Sequence, residues 1–191
     1  MTRLIYLHGL GSSGNASTAQ GLKKVVPQGI HVVAPDYQPE CYSESIEQLS
    51  KLIQDTSDEC LLIGTSMGGY YGLILAQQYY IPTLLVNPCF DPASMLSKYL
   101  EQPAMNWVTN QPIVFTQSML DAFEAPSKAS LTARSKTLAV MVGRQDDVIP
   151  PDQQISYCQQ LQISYEITNW GHRVGDVDQL ANRALSLIST R

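Results

Sequence analysis

The sequence predicts an α/β protein built on a mostly parallel sheet of six strands with helices on both faces. Short apolar runs alternate with segments of helical periodicity along the chain. The apolar runs are hydrophobic at successive positions, which indicates strands that are covered on both sides. The chain also has no internal repeat and no low-complexity linker. We therefore expect a single domain that spans residues 1–191.

The first half of the chain supplies four of the predicted strands. Apolar runs predict strands at Leu4–Leu7, Ile30–Ala34, Cys60–Ile63 and Thr83–Val86. Helices are predicted at about 16–26, from Ser43 to about Asp55, and from near Met67 onward. Apolar residues recur at helical spacing in the second of these helices, which places one of its faces in the core.

The second half supplies two further strands after a long interruption. Strands are predicted at Lys136–Val142 and Ser164–Ile167, and helices at Asp152–Leu161 and from Asp176 to about Ile188. Residues 87–135 contain several prolines and amphipathic pieces around 93–100 and 117–124, and no strand is evident there. Two interpretations have equal support: a short helical lid or pocket wall, or a long connection that only covers the sheet.

The composition indicates a globular protein without general affinity for polyanions. Of the 191 residues, 44% are hydrophobic and 15% charged, and the net charge is −5. The basic residues are scattered, which argues against binding to nucleic acid or to anionic membranes. The apolar run at the N-terminus is too short for a signal peptide or a membrane span. We therefore expect a cytoplasmic monomer or homodimer with no nucleic-acid or membrane partner.

The four cysteines show no pattern of a metal or disulfide site. Cys41, Cys60, Cys89 and Cys158 lie far apart, without a C-x-x-C pair or the Cys–His spacing of a zinc site. We expect reduced thiols and no metal. A catalytic cysteine stays open as an alternative, although none lies in a recognisable turn.

Residues 64–68, Gly-Thr-Ser-Met-Gly, match the pattern G-x-S-x-G between a predicted strand and a predicted helix. In the elbow of serine hydrolases the serine occupies a strained turn, and glycines on both sides avoid collisions. The turn exposes the hydroxyl group, which makes Ser66 a candidate nucleophile. The alternative is a glycine-rich turn that only happens to contain a serine.

A serine nucleophile needs a general base, which in turn needs a carboxylate to orient it. In hydrolases with this elbow the order along the chain is serine, acid, histidine. Among the three histidines, only His172 follows the serine, in a glycine-containing loop before the last helix. The loop after the fifth strand supplies the acid, with Asp146 and Asp147 as candidates at the same sheet edge as the elbow.

The glycine-rich loop after the first strand supplies the last component, an oxyanion hole. Two backbone N–H groups must face the oxyanion of a tetrahedral intermediate. One belongs to Met67, directly after the candidate nucleophile, and the other to Leu10, which follows His8 and Gly9. The loop could instead bind a phosphate, but it lacks the G-x-G-x-x-G spacing and the lysine of a P-loop.

These motifs together resemble the small YqiA-like esterases of the α/β-hydrolase superfamily. The resemblance rests on residues 7–10, residues 64–69, Asn87–Pro88 and Gly171–His172, and it covers nearly the whole chain. It implies an α/β-hydrolase fold that lacks the first two strands of the full fold. It also implies a triad of Ser66, Asp146 and His172, oxyanion donors at Leu10 and Met67, and no cofactor. Asp146 is preferred to Asp147 because it occupies the acid position of the superfamily loop G-x-x-D-x-V-x-P.

The function that this resemblance implies is hydrolysis of carboxylic esters with short acyl chains, an activity of EC 3.1.1 type. The mechanism would be a serine esterase mechanism with an acyl-enzyme intermediate and a small-molecule ester or thioester as substrate. Three alternatives stay open: a thioesterase for acyl-CoA or carrier-bound acyl groups, a peptidase of the same superfamily, and a binding module that keeps the fold without activity.

Overall fold

The structure is a computed structural model that describes residues 1–123 and 137–188. Its strands are β1 (Thr2–Leu7), β2 (Ile30–Val33), β3 (Glu59–Thr65), β4 (Thr83–Val86), β5 (Ala104–Asn106), β6 (Gln111–Ile113), β7 (Leu138–Gly143) and β8 (Ser164–Thr168). Its helices are α1 (Ser17–Val25), α2 (Tyr42–Gln54), α3 (Met67–Tyr79), α4 (Pro92–Leu96), α5 (Gln117–Asp121), α6 (Pro151–Leu161) and α7 (Val177–Ser186), with a 3-10 turn at Ser97–Leu100.

Six strands form the predicted parallel sheet, in the order β2-β1-β3-β4-β7-β8. The predicted fold class is confirmed, and each predicted strand lies within about two residues of an observed one. The predicted start of the fifth strand, Lys136, lies outside the described residues. No helix in the described ranges is long and apolar enough to cross a membrane.

Alternate residues of the central strands face opposite layers of the protein. Leu4 and Tyr6 of β1 lie in an apolar cluster with α1 and α7, whereas Ile5 and Leu7 lie in another with α2 and α3. A third cluster joins α6 to β7 and includes the buried Cys158. Both faces of the sheet are therefore covered, which explains why its strands are apolar at successive positions.

The insertion between β4 and β7 contains a hairpin that the sequence did not predict. α4, the 3-10 turn and α5 correspond to the amphipathic pieces, but β5 and β6 pair antiparallel between them. Each of these strands has three residues, and β6 contains Pro112, which reads as a strand breaker although an outer strand tolerates it. The part of the insertion at 124–135 lies outside the described residues.

The hairpin brings the insertion onto the loop after β1. The N–H of Trp107, just after β5, donates to the carbonyl of Gly11 at 2.9 Å. Gly11 has a φ of 67°, and a side chain there would collide with the carbonyl of Met105. This contact places the hairpin of the insertion beside the loop after β1, at the carboxyl edge of the sheet.

The turn between β3 and α3 depends on two glycines that contact backbone. A Cβ atom at Gly64 would collide with the carbonyl of Gly68, and one at Gly68 would collide with the carbonyl of Leu7 in β1. Neither obstacle is a flexible side chain that could turn away. The glycines of the sequence pattern are thus required by the packing of α3 against two neighbouring strands.

We predict that Gly68→Ala lowers the free energy of unfolding by about 3 kcal/mol, because α3 must move away from β1. Gly72→Ala in the same helix is the matched control, since the one tight contact of its Cβ would be with the flexible end of Leu85 at 3.0 Å. Alanine also favours the helix there, so a change within about 1 kcal/mol is expected. Urea unfolding measures both variants. Equal losses in the two would contradict the packing argument.

Candidate active site

Ser66 lies in the turn between β3 and α3, in a conformation that a non-glycine residue adopts only under restraint. Its φ is 55° and its ψ is −119°. Its N–H donates to the carbonyl of Val86 in β4 at 3.0 Å. Its carbonyl accepts from the N–H groups of Gly69 and Cys89 at 2.9 and 3.0 Å. These three hydrogen bonds hold the turn, so that the serine lines a cavity at the carboxyl edge of the sheet.

Asp146 and His172 come together from the loops after β7 and β8. The Nδ1 atom of His172 lies 2.9 and 3.0 Å from the two carboxylate oxygens of Asp146. The carboxylate is completely buried, whereas the imidazole is 20% exposed. An Nδ1–H donated to the carboxylate leaves Nε2 unprotonated, and that tautomer can accept a proton from a nucleophile.

The surroundings of Asp146 keep its side chain ionised. Burial by itself would raise the pKa of this carboxyl, but hydrogen bonds lower the pKa below its ordinary value. The donors are His172 and the backbone N–H groups of Ile149 and Val148, each at 2.9 Å. Gln154 of α6 adds a fourth donor at 3.0 Å. Gln154 was not predicted, because a glutamine in a helix has no sequence signal that marks a partner eight residues away.

Asp147, the other candidate acid, occupies a different position. It is exposed and lines the cavity in front of His172, whereas Asp146 is the residue paired with the imidazole. The difference arises from the turn after β7, in which the N–H of Asp146 donates to the carbonyl of Gly143 at 3.1 Å.

Asn87 connects the loops of the acid and the histidine from the end of β4. It is completely buried, and its φ is 46°, which asparagine tolerates better than most residues. Its Oδ1 accepts from the N–H of Gly143 at 2.6 Å. Its Nδ2 donates to the carbonyls of Gly171 and His172 at 2.9 and 3.0 Å. Asn87 was part of the family resemblance, but its role as a bridge is evident only from the structure.

Leu10 and Met67, the residues predicted to supply the oxyanion N–H groups, lie near Ser66 in the structure. Both residues line the same cavity as Ser66, and Met67 is the first residue of α3. Among the described residues, no hydrogen bond is formed by either N–H group. Both N–H groups remain available to an oxyanion. The N-terminus of α3, where Met67 lies, also favours a negative charge.

His8 restrains the peptide group that carries the N–H of Leu10. Its Nδ1 donates to the carbonyl of Gly9 at 2.9 Å, and the N–H of Ser12 donates to the same oxygen at 3.3 Å. The carbonyl of Gly9 and the N–H of Leu10 belong to one planar peptide group and point in opposite directions. Gly9 must be glycine here, because a Cβ atom would lie 3.0 Å from the Cβ of Ser66.

The cavity brings the candidate residues together in a space of about 720 Å³. Leu10, Ser66, Met67 and His172 line it, together with residues of the insertion. In the described part of the chain, the hydroxyl of Ser66 forms no hydrogen bond with the imidazole of His172. Such catalytic contacts often tighten only when substrate is bound.

Other chemistries have less support in this cavity. Cys89 also lines it, but burial raises the pKa of its thiol to about 12, so the reactive thiolate does not form near neutral pH. The described residues contain no group of three or more His, Cys, Asp or Glu side chains that could hold a metal ion. The remaining histidines lie elsewhere: His8 is buried under the first loop, and His31 is exposed on β2.

Solved structures share this fold at low sequence identity. Est1E from Butyrivibrio proteoclasticus superposes with a TM-score of 0.77 at 12% identity, over 98% of this chain and 88% of Est1E. Alpha/beta hydrolase domain-containing protein 10 from mouse superposes with a TM-score of 0.72 at 15% identity, over 98% of this chain and 90% of the mouse chain. The fold is therefore that of the α/β-hydrolases.

A family model covers the chain almost from end to end. The model of the uncharacterised protein family UPF0227 matches residues 3–189. This is the YqiA-like family that the sequence motifs resemble, and the resemblance is confirmed. The chain therefore belongs to the UPF0227 family.

Proposed function

We propose that the protein is a serine hydrolase that cleaves carboxylic esters through Ser66, His172 and Asp146. The observation that carries the proposal is the buried Asp146–His172 pair, which lines up on one cavity with a strained serine elbow. Est1E, a neighbour in fold, has also been solved with ferulic acid bound. Ferulic acid is a carboxylic acid, the class of product that ester hydrolysis releases. Esters of short acyl chains are the first substrates to test.

Acylation would begin with transfer of the Ser66 proton to Nε2 of His172 as the hydroxyl oxygen attacks the ester carbonyl. The negative charge on the carbonyl oxygen would be met by the N–H groups of Leu10 and Met67. Asp146 would stabilise the imidazolium that forms. When the tetrahedral intermediate collapses, His172 would protonate the departing alcohol, which leaves the acyl group bound to Ser66.

Deacylation would repeat the same steps with water in place of the serine. His172 would take a proton from water, the hydroxide would attack the acyl-enzyme, and the acid would leave as Ser66 regains its proton. The exposed fraction of the imidazole, 20%, gives water access to this side of the site.

A thioesterase is the second candidate, because the same groups cleave a thioester by the same steps. A comparison of kcat/KM for butanoyl-CoA and for an oxygen ester of butanoic acid distinguishes a thioesterase from an esterase. A binding module would keep the fold without reacting. It is separated from both enzymes by labelling with a fluorophosphonate, which modifies only an activated serine.

We predict that Ser66→Ala lowers kcat for p-nitrophenyl butanoate by roughly 10,000-fold and abolishes fluorophosphonate labelling. Ser118→Ala is the control, because this exposed serine of α5 lies away from the cavity. Circular dichroism should show that both variants are folded. Parent-like turnover by Ser66→Ala would refute the assignment of the nucleophile.

We predict that kcat/KM falls with a slope of one proton as the pH drops from about 8 to 5. A protonated imidazole cannot accept the serine proton, so protonation of the base lowers the rate. Because the pKa of Asp146 is lowered, its carboxylate stays charged throughout the range and adds no second proton. A pH-rate profile measures the slope. A flat profile would exclude His172 as the base, and a slope of two would contradict the state inferred for Asp146.

We predict that Asn87→Asp lowers kcat/KM by about 100-fold while the variant remains folded. The new carboxylate oxygen would face the carbonyls of Gly171 and His172, to which the amide of Asn87 now donates. Repulsion would displace the loop that carries His172 and thus the base. Steady-state kinetics and urea unfolding test this. If the variant loses activity only in proportion to its loss of folded protein, Asn87 has a structural role and does not position the base.

A further inference from the structure

Two cavities meet at the candidate active site. The larger, of about 720 Å³, and a second one of about 400 Å³ share the residues Leu10, Ser66, Trp107, His172, Arg173 and Val174. Ser66 and His172 thus lie at a junction. An ester has two parts on either side of its carbonyl carbon, and a junction of two cavities can hold one part in each.

The larger cavity, which we name the lid lobe, is walled mainly by apolar side chains. Its walls include residues of the insertion and of the loop after β7, namely Met95, Leu96, Tyr99, Ala104, Met105, Val148 and Ile149. Met67, one of the two oxyanion donors, also lines this lobe and not the other. A carbonyl group held by both donors is therefore closest to the lid lobe.

The smaller cavity, which we name the hydroxyl lobe, is lined by several residues that carry hydroxyl groups. These are Tyr6, Ser12, Ser17, Thr18 and Thr65, and Trp107 and Val108 of the insertion also line it. The hydroxyls of Tyr6 and Thr65 lie 3.0 Å apart and form one hydrogen-bonded pair in this wall. Of the described residues that line the lobe, none is acidic.

Arg173 is the one charged residue among those described in the hydroxyl lobe, and it follows the candidate base directly in sequence. It is exposed, so its guanidinium is free to move toward a bound group. Arg173 also lines the lid lobe, where Lys98 and Asp147 carry opposite charges, whereas no acid among the described residues lines the hydroxyl lobe. In a protein of net charge −5, Arg173 therefore gives the hydroxyl lobe a local positive charge.

Building on the proposed function, we propose that the protein selects esters of an apolar acid with a polar alcohol. The acyl group occupies the lid lobe and the alcohol occupies the hydroxyl lobe. The alcohol carries hydroxyl groups or a negative charge, such as that of a phosphate, and a positively charged alcohol is disfavoured by Arg173.

The preference follows from the contacts with water that the wall of each lobe loses when a substrate covers it. An apolar alcohol in the hydroxyl lobe would displace water from the hydroxyl groups without replacing its hydrogen bonds, which is unfavourable. A polar alcohol replaces those bonds. Burial of an apolar acyl group against Met95, Leu96 and Tyr99 is favourable, and these side chains form a continuous part of a wall that also contains the charged residues Lys98 and Asp147.

The arrangement also fits the order of the reaction. The alcohol leaves first, after protonation by His172, while the acyl group stays bound to Ser66. Departure from the hydroxyl lobe opens space beside the imidazole for the water that hydrolyses the acyl-enzyme. The acyl group remains in the lid lobe until that step is complete.

The assignment of the acyl group to the lid lobe and of the alcohol to the hydroxyl lobe is tested with two isomeric esters. 2,3-Dihydroxypropyl butanoate carries its hydroxyl groups on the alcohol, and butyl 2,3-dihydroxypropanoate carries them on the acid. After correction for their rates with hydroxide, we expect kcat/KM to be about tenfold higher for the first ester. Propyl butanoate should also be poorer than the first ester. Equal values, or a preference for the second ester, would overturn the proposal.

The role of charge is tested with butanoate esters of glycerol 3-phosphate and of choline. We expect the anionic ester to be preferred about tenfold at low salt and less at 0.5 M salt, since Arg173 is exposed. Arg173→Gln should remove this preference, so that the ratio of kcat/KM for the anionic ester to kcat/KM for the choline ester falls to about one. Lys51→Gln, which removes an exposed charge from α2, is the control and should change nothing. An equal loss for all esters in Arg173→Gln would contradict the role of this charge.

The hydroxyl wall is tested with Thr18→Val, which keeps the shape of the side chain and removes its hydroxyl. We expect kcat/KM for 2,3-dihydroxypropyl butanoate to fall about fivefold relative to that for propyl butanoate. Parallel losses for both esters would indicate a structural effect and contradict the proposed wall.

Binding to the Ser66→Ala variant separates failure of this proposal from failure of the proposed function. Calorimetry with the four butanoate esters requires no turnover. If the parent enzyme hydrolyses none of the esters but Ser66→Ala binds the polar and anionic ones more tightly, the hydrolase function fails and the specificity of the lobe stands. If the parent hydrolyses all of them without preference, only the specificity fails. Absence of binding and of turnover refutes both.

Discussion

The close approach of α3 to the ends of β1 and β3 is the constraint on which the site depends. Side chains at Gly64 and Gly68 would collide with backbone and push the helix away. With α3 in this position, Ser66 is forced into a turn with a φ of 55°, and the N–H of Met67 is left without an acceptor within the helix. One packing contact therefore produces both the strained turn at Ser66 and the available N–H of Met67, the two features on which the proposed mechanism depends.

A network of buried hydrogen bonds extends this geometry across the sheet. Asn87 at the end of β4 joins the loop after β7 to the loop after β8, and Asp146 and His172 meet between them. Burial of a carboxylate is unfavourable unless it is hydrogen-bonded, and Asp146 accepts from backbone, from Gln154 and from the imidazole. The network thus keeps a charge inside the protein and orients the histidine with it.

The insertion supplies walls to the two cavities that meet at the carboxyl edge of the sheet. Its hairpin contacts the loop after β1 through Trp107 and Gly11, and its helices supply apolar side chains to the larger lobe. The sequence predicted the helical pieces but no strand, since three-residue strands have too few positions for alternation to be recognised and Pro112 interrupts one of them. The contact between hairpin and loop joins residues about 96 positions apart, which no local pattern records.

The sequence by itself determined the class of fold, the positions of the six sheet strands, and the order of serine, acid and histidine. These features are local, because periodicity and glycine spacing reflect the conformation of adjacent residues. The loop pattern already favoured Asp146 over Asp147, and the structure shows Asp146 paired with His172. The tertiary structure alone decided that Gln154 and Asn87 support the pair and that two lobes meet at Ser66. Those outcomes depend on which loops the parallel strands bring to a common edge, and residues distant in sequence become neighbours only when the sheet has formed.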